Sequence, residues 1–70
     1  MPTYDDFYLH VVELYNIQPE PKTLRLGQIY FNKLNEIRPD IAKLIRSTPY
    51  DPFFKERITN VVHDRVRSHW

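Results

Sequence analysis

The spacing of the six prolines is the feature that most constrains how this chain of 70 residues can fold. A proline removes a backbone donor and clashes with the preceding helical turn, so a helix rarely continues through one. The prolines lie at positions 2, 19, 21, 39, 49 and 52, and they leave four stretches free to form helix. None of these stretches shows the strict apolar and polar alternation that is typical of a strand. The sequence therefore predicts an all-α fold: a single domain over residues 1–70 with about four helices, one or two of them short.

The first two stretches carry apolar residues at helical spacing. A first helix is predicted from about residue 3 to residue 15, with Thr3 as its N-cap residue and Asp6 three residues later, as in a capping box. The prolines of "NIQPEPK" end this helix. A second helix is predicted to begin near Thr23 and to run through Ile37. The residues expected to face inward are Tyr4, Phe7, Tyr8, Val11, Leu14 and Tyr15 in the first helix, and Gly27, Tyr30, Phe31, Leu34 and Ile37 in the second.

The later prolines are predicted to begin two further helices. Pro39 suits the first turn of a short third helix that reaches Ser47, although the sequence leaves open whether Arg38–Pro39 is a corner or a kink. Asp51 followed by Pro52 has the pattern of an N-cap residue and a proline at the first helical position, which predicts the start of a fourth helix. The residues expected to face inward here are Ile41, Leu44, Ile45, Phe54, Ile58, Val61, Val62 and Val66.

Composition excludes several classes of protein. Ten Lys and Arg side chains stand against nine Asp and Glu, whereas proteins that coat DNA or RNA usually have a clear basic surplus. The absence of cysteine excludes disulfides and thiolate metal sites. No apolar run approaches the roughly 20 residues of a membrane span, and the N-terminal segment lacks the pattern of a signal peptide. We therefore expect a soluble cytoplasmic protein that neither enters a membrane nor coats nucleic acid.

Groups that could carry catalysis or bind a metal are sparse. The three histidines lack the two-histidine spacing of a zinc-binding helix, and His63 and His69 are expected to be solvated near a helix C-terminus. A single glycine cannot make a glycine-rich phosphate loop, and neither serine has the glycine setting of a nucleophile elbow. Asp51 and Glu56 could pair as acid and base, but capping already accounts for Asp51. We therefore predict a non-enzymatic protein with no metal and no cofactor.

Gly27 points to a close contact. A glycine within a helix costs about 1 kcal/mol relative to alanine, which suggests that another part of the chain or a ligand approaches the backbone closely. Internal packing is one interpretation. The other is a binding surface that includes the neighbouring Arg25, Gln28 and Asn32.

The stretch "IRSTPYDPFFKER", residues 45–57, has a similar ambiguity. Aromatic residues make up 14% of the chain, more than one thin core can bury, and this corner collects Arg46, Tyr50, Phe53 and Arg57. Rings mixed with guanidinium groups suit a protein partner or an anionic aromatic ligand such as a nucleotide. In the simpler interpretation, Phe53 covers the corner and the arginines pair with acids nearby. A core this thin also favours association, so we expect a homo-oligomer.

The segment "GQIYFNKLNEIRPDIAKLIRSTPYDPFF", residues 27–54, resembles a recurring pattern in small uncharacterised proteins of bacteriophages and bacteria. The matching positions are Gly27, Gln28, Phe31, Asn32, Leu34, Arg38, Pro39, Asp40, Ala42, Ile45, Arg46, Thr48, Asp51, Pro52 and Phe53. The resemblance implies a phage-type accessory protein that works in the host cytoplasm. Small phage proteins of this kind often act by binding: they inhibit a host protein or sequester a nucleotide signal used in host defence.

Two functions follow from these observations as expectations. One is capture of a small anionic ligand, such as a signalling nucleotide, by a homo-oligomer. The alternative is inhibition of a host protein through an aromatic-rich helix face. The candidate ligand-binding residues are Arg25, Gln28, Asn32, Arg46, Tyr50, Phe53 and Arg57.

Overall fold

The computed structural model describes residues 2–70, which form four α-helices and no strand. The helices are α1 (Tyr4–Asn16), α2 (Leu26–Ile37), α3 (Pro39–Ile45) and α4 (Asn60–His69). The prediction of a small all-α fold is confirmed. No helix within residues 2–70 is both long enough and apolar enough to cross a membrane.

α1 matches its prediction to within one residue at each end. The Thr3 side-chain oxygen accepts a hydrogen bond from the backbone N–H of Asp6 at 3.1 Å, which satisfies one of the free donors of the first turn. Tyr4, Phe7 and Val11 form its buried face.

α2 begins at Leu26, so the predicted start near Thr23 is wrong. Leu24 is held in the preceding loop because its backbone N–H donates to the side-chain oxygen of Gln18 at 3.0 Å. At the other end, Arg38 leaves helical geometry with φ −132° and ψ 72°, which separates α2 from α3. The Arg38–Pro39 step is therefore a break between two helices and not a kink in one.

α3 ends at Ile45, two residues earlier than predicted. Ser47 follows with a φ of 59°, a backbone conformation that does not continue a right-handed helix. Leu44 was expected to face inward, but 56% of its surface is exposed, so that prediction is wrong. The buried positions of this short helix are Ile41, Ala42 and Ile45, which already fill the side that faces α2.

The predicted start of the fourth helix at Asp51 and Pro52 is also wrong. The Asp51 carboxylate accepts backbone hydrogen bonds from Ser47 at 2.8 Å and from Phe53 at 3.0 Å, so it stabilises a turn instead of capping a helix. Residues 51–59 form an irregular segment, and α4 begins only at Asn60. Its N-cap residue is Thr59, whose side-chain oxygen accepts from the backbone N–H of Val62.

The late start of α4 changes which side chains are buried. Phe54 and Val61 were both expected to face inward, yet 78% and 60% of their surfaces are exposed. Phe54 belongs to the irregular segment, and Val61 lies in the first turn of α4 beside the buried Val62. The core is a single cluster from all four helices, with α2 packed against both α1 and α3. Its buried members are Tyr4, Phe7, Val11, Ile29, Tyr30, Phe31, Leu34, Ile41, Ala42, Ile45, Val62 and Val66.

Candidate functional site

Gly27 is the point where the irregular segment 51–59 crosses α2. Its backbone N–H donates to the carbonyl oxygen of Lys55 at 3.0 Å. A Cβ atom at this position would overlap the carbonyl oxygen of Pro52. The close approach that a helical glycine suggests is therefore made by the chain's own backbone, and it holds the segment against the start of α2.

Where this segment meets α2, three aromatic side chains pack against one another from the core to the surface. The ring of Phe53 lies 6.0 Å from that of Phe31 and 5.0 Å from that of Phe54, both edge to face. The Arg46 guanidinium lies 5.6 Å from the centre of the Phe31 ring. We call these four residues the aromatic corner. Phe54 is its most exposed member, so the corner presents a large apolar ring to solvent.

A polar pocket of about 280 Å³ lies where the end of α1, the loop before α2 and the irregular segment meet. Lys22 and Arg25 supply two cationic groups, and the Lys22 ammonium nitrogen lies 5.2 Å from the centre of the Tyr15 ring. The residues that line the pocket are Tyr15, Lys22, Thr23, Leu24, Arg25 and Glu56. A ring and two cations in one recess have the chemistry to hold a flat anion.

Gln18 shapes the loop that forms one wall of the polar pocket. Its side-chain amide donates to the carbonyl oxygens of Tyr15 at 3.3 Å and Leu24 at 3.2 Å, and its side-chain oxygen accepts from the hydroxyl of Thr23 at 3.2 Å. These bonds fold residues 18–24 around a single side chain. Gln18 could not be singled out from the sequence, because no local pattern distinguishes it from a solvated glutamine.

The charges of the polar pocket are mixed. Lys22 pairs with Glu20 at 3.2 Å, and the Glu56 carboxylate lies on the pocket wall. None of the ion pairs among residues 2–70 includes Arg25, whose side chain is exposed. Arg25 is therefore the cation best placed to meet an anion from solvent, and Glu56 opposes it.

The seven predicted site residues do not line one cavity. Arg25 lies in the polar pocket, and Asn32 lines a neighbouring cleft of about 200 Å³ with Leu14 and Ile29. Gln28 lies in α2 and is half-buried, and it lines neither the polar pocket nor this cleft. Of the rest, Arg46 and Phe53 belong to the aromatic corner.

The remaining two residues of that prediction lie elsewhere. Tyr50 is half-buried and faces α4, where the Arg65 guanidinium lies 5.0 Å from the centre of its ring above an open depression of about 360 Å³. Arg57 is exposed on the irregular segment, and none of the ion pairs among residues 2–70 includes it.

His63 departs from its predicted role. It lies near the start of α4 and is half-buried, because its ring packs 4.6 Å from that of Tyr8 and its Nδ1 lies 2.6 Å from the Tyr4 hydroxyl. Desolvation, together with the nearby Arg67 charge, lowers the pKa of His63. The expectation of a solvated side chain near a helix C-terminus is wrong for this residue, and the lowered pKa favours its neutral form.

The Tyr4 hydroxyl connects His63 to the centre of the core. It lies 2.7 Å from the hydroxyl of Tyr30, a fully buried residue. Burial raises the pKa of Tyr4 to about 12 and raises the pKa of Tyr30 as well, so both remain protonated. When Nδ1 of His63 carries no proton, the Tyr4 hydroxyl donates to it and accepts from the Tyr30 hydroxyl. Two of the three side chains, Tyr4 and Tyr30, belong to the core, so we assign this hydrogen-bond network to the stability of the fold.

Within residues 2–70, no three His, Asp or Glu side chains are grouped in a way that could hold a metal ion. Comparison with known proteins found no matching family model, no matching curated protein and no matching solved structure.

Proposed function

We propose that this protein works by binding and that the polar pocket takes a small anion carrying a planar ring, such as a nucleotide. The observation that supports this most is the placement of the Lys22 ammonium over the Tyr15 ring, with Arg25 on the same recess. A ring offers a stacking surface, and guanidinium and ammonium groups make charge-assisted hydrogen bonds to phosphate. The volume of about 280 Å³ is close to the lower end of the range for ligand sites, which suits a small ligand.

Glu56 limits the affinity that this pocket can have for an anion. Its carboxylate shares the recess with Arg25 and would repel a phosphate at short range. A ligand therefore has to displace this side chain or keep its anionic end on the side of Lys22 and Arg25. Removing the charge of Arg25 should lower the affinity for an anion, whereas removing the charge of Glu56 should raise it. The two substitutions therefore test the proposal in opposite directions.

The resemblance of residues 27–54 to phage proteins supports a role in sequestering a nucleotide signal of the host. The viral origin and the host signal remain predictions.

Calorimetry against a panel of cyclic and linear nucleotides, with inorganic phosphate as a fragment, tests the proposal. We expect at least one nucleotide to bind, Arg25→Gln to weaken it about tenfold or more, and Glu56→Gln to tighten it. Arg57→Gln is the matched control, because Arg57 lies on the same segment as Glu56 but does not line the pocket. Absence of heat with every nucleotide would contradict the proposal. Loss of binding in Arg46→Ala, with Arg25→Gln unaffected, would move the site to the aromatic corner.

A second candidate function is inhibition of a host protein through the aromatic corner. The exposed ring of Phe54, stacked on Phe53, supports it, since aromatic and arginine side chains are the commonest anchors of protein interfaces. A host protein should then be retained by the wild type, lost with Phe54→Ser and kept with Val61→Ser, which removes a similarly exposed apolar side chain from α4. Equal retention by both variants would exclude the corner.

A further inference from the structure

The charges of this chain are segregated along its length. Residues 1–21 contain four carboxylates and neither lysine nor arginine. All ten Lys and Arg side chains follow, against five carboxylates. A net charge near zero therefore conceals an acidic α1 on an otherwise basic molecule.

The outer side of α1 carries these carboxylates around an exposed apolar residue. Asp6, Leu9 and Glu13 are spaced by three and four residues, so they share one side of the helix, opposite the buried residues. Leu9 is 61% exposed. None of the ion pairs among residues 2–70 includes Asp6 or Glu13. We call these three residues the acidic face.

The irregular segment offers the complementary surface. Phe54, Lys55 and Arg57 are all exposed, and neither cation belongs to an ion pair among the described residues. We call these three residues the basic rim. Of the carboxylates beside them, Glu56 lines the polar pocket and Asp51 is engaged by two backbone N–H groups. The rim therefore combines an exposed ring with two cations that form no ion pair among residues 2–70.

We propose that the acidic face of one copy of this chain docks against the basic rim of a second copy. Each surface has an exposed apolar side chain flanked by unpaired charge, and the two charges have opposite signs. Docking of either surface against itself would instead place like charges together, which complementary interfaces avoid. The contact is therefore between different surfaces of the two copies. Such a contact gives a ring, or a dimer in which each copy offers both surfaces once, where the rotation between copies closes, and an open filament where it does not.

Charge reversal tests this pairing without knowledge of any ligand. One variant carries Asp6→Lys and Glu13→Lys, and the other carries Lys55→Glu and Arg57→Glu. By light scattering at low salt we expect the wild type to have a mass above the 8.5 kDa of one chain and each variant alone to fall to that mass. An equimolar mixture of the two variants should associate again, because one is basic on both surfaces and the other is acidic on both.

The controls separate a specific contact from a general effect of charge. Asp64→Lys and Lys43→Glu reverse exposed charges outside both surfaces and should leave the mass of the wild-type assembly unchanged. Leu9→Ser tests the acidic face without altering charge, with Leu44→Ser, a similarly exposed leucine on α3, as its control. Added salt should lower the mass of the wild type.

Three results would overturn the proposal. The first is a wild-type mass of 8.5 kDa at every concentration up to the millimolar range. The second is a larger mass that Leu9→Ser and both reversals leave unchanged. The third is a mixture that stays monomeric although circular dichroism shows both variants to be folded.

Discussion

Tyr4 is the side chain on which the central hydrogen-bond chain of this protein depends. Its hydroxyl contacts Tyr30 of α2 and His63 of α4, so one atom of α1 links three helices. No buried side-chain polar atom within residues 2–70 is left without a hydrogen-bond partner. The core therefore tolerates these polar groups only while every hydrogen bond between Tyr30, Tyr4 and His63 is made.

The order of hydrogen-bond donors, from Tyr30 to Tyr4 to His63, predicts that Tyr4→Phe and Tyr30→Phe lower the free energy of unfolding by unequal amounts. Tyr4→Phe leaves the buried Tyr30 hydroxyl and Nδ1 of His63 without their partner, and a buried group left unpaired costs about 1–3 kcal/mol. Tyr30→Phe removes only the terminal donor, and Tyr4 can still donate to His63. We expect urea unfolding at pH 8 to show a clearly larger loss of stability for Tyr4→Phe. Equal losses would contradict the donor order.

The lowered pKa of His63 predicts a loss of stability on acidification. The groups that face this ring are Tyr4, Tyr8 and Tyr30, with Arg67 opposing its protonation and Asp5 and Asp64 favouring it. Because the pKa is lower in the folded state than in the unfolded state, the unfolded chain binds more protons as the pH falls. The contribution of His63 is therefore complete above the ordinary histidine pKa of about 6.5 and is lost as the pH falls toward the lower folded value.

Protonation would also reverse the hydrogen-bond chain. A protonated Nδ1 donates to Tyr4, which then has to donate to Tyr30, and the buried Tyr30 hydroxyl loses its acceptor. We expect the free energy of unfolding of the wild type to fall more between pH 8 and pH 5 than that of His63→Gln. His10→Gln, a change at an exposed histidine, should keep the wild-type dependence. Identical pH profiles for the wild type and His63→Gln would contradict this role.

At the scale of the helices, the backbone contact at Gly27 holds the segment that precedes α4 against α2. The Gly27 N–H holds the Lys55 carbonyl against α2, and the segment then has to travel from there to the first turn of α4. In an ordinary helix interior, changing glycine to alanine stabilises by about 1 kcal/mol. Here a Cβ atom would meet the Pro52 carbonyl, so we expect Gly27→Ala to destabilise by about 1–3 kcal/mol in urea unfolding.

The matched control is Asn35→Ala at an exposed position of the same helix. That substitution should be neutral or slightly stabilising, because alanine has the higher helix propensity. A stabilised Gly27→Ala would mean that the irregular segment does not lie against α2.

The sequence predicted the helices whose limits are set locally. Thr3 and Asp6, which lie close together in sequence, predict the start of α1. The spacing of apolar residues was enough to predict an all-α fold. The start of α4 could not be predicted in this way, because an Asp-Pro pair looks the same whether the carboxylate caps the following helix or accepts from the preceding turn. In the structure the segment after Asp51 is held against α2 by the contact between Gly27 and Lys55, which come from distant parts of the chain and give no local pattern.

The same distinction applies to the candidate site. Arg25 was selected because it neighbours Gly27, and it does line the polar pocket. Tyr15, Lys22 and Glu56 were not selected, because they meet only through the folding of the loop around Gln18 and the return of the irregular segment. Residues far apart in sequence give no local pattern before the fold brings them together.

At the scale of the whole molecule, four surfaces are available for binding: the polar pocket, the aromatic corner, the acidic face and the basic rim, which shares Phe54 with the aromatic corner. A chain of 70 residues has a thin core, and association would add burial that the monomer lacks. If copies associate, the melting temperature should rise with protein concentration, because binding to the folded state alone stabilises it. A melting temperature independent of concentration would contradict association.

The central claim, that the polar pocket holds an anion with a planar ring, is tested most directly by mapping a nucleotide titration on the backbone amides. We expect the chemical shifts of a ¹⁵N-labelled sample to change first and most at Lys22, Leu24, Arg25 and Glu56, and to change much less in Arg25→Gln. Shifts concentrated between Arg46 and Phe54, or no shift with any nucleotide at millimolar concentration, would contradict the claim.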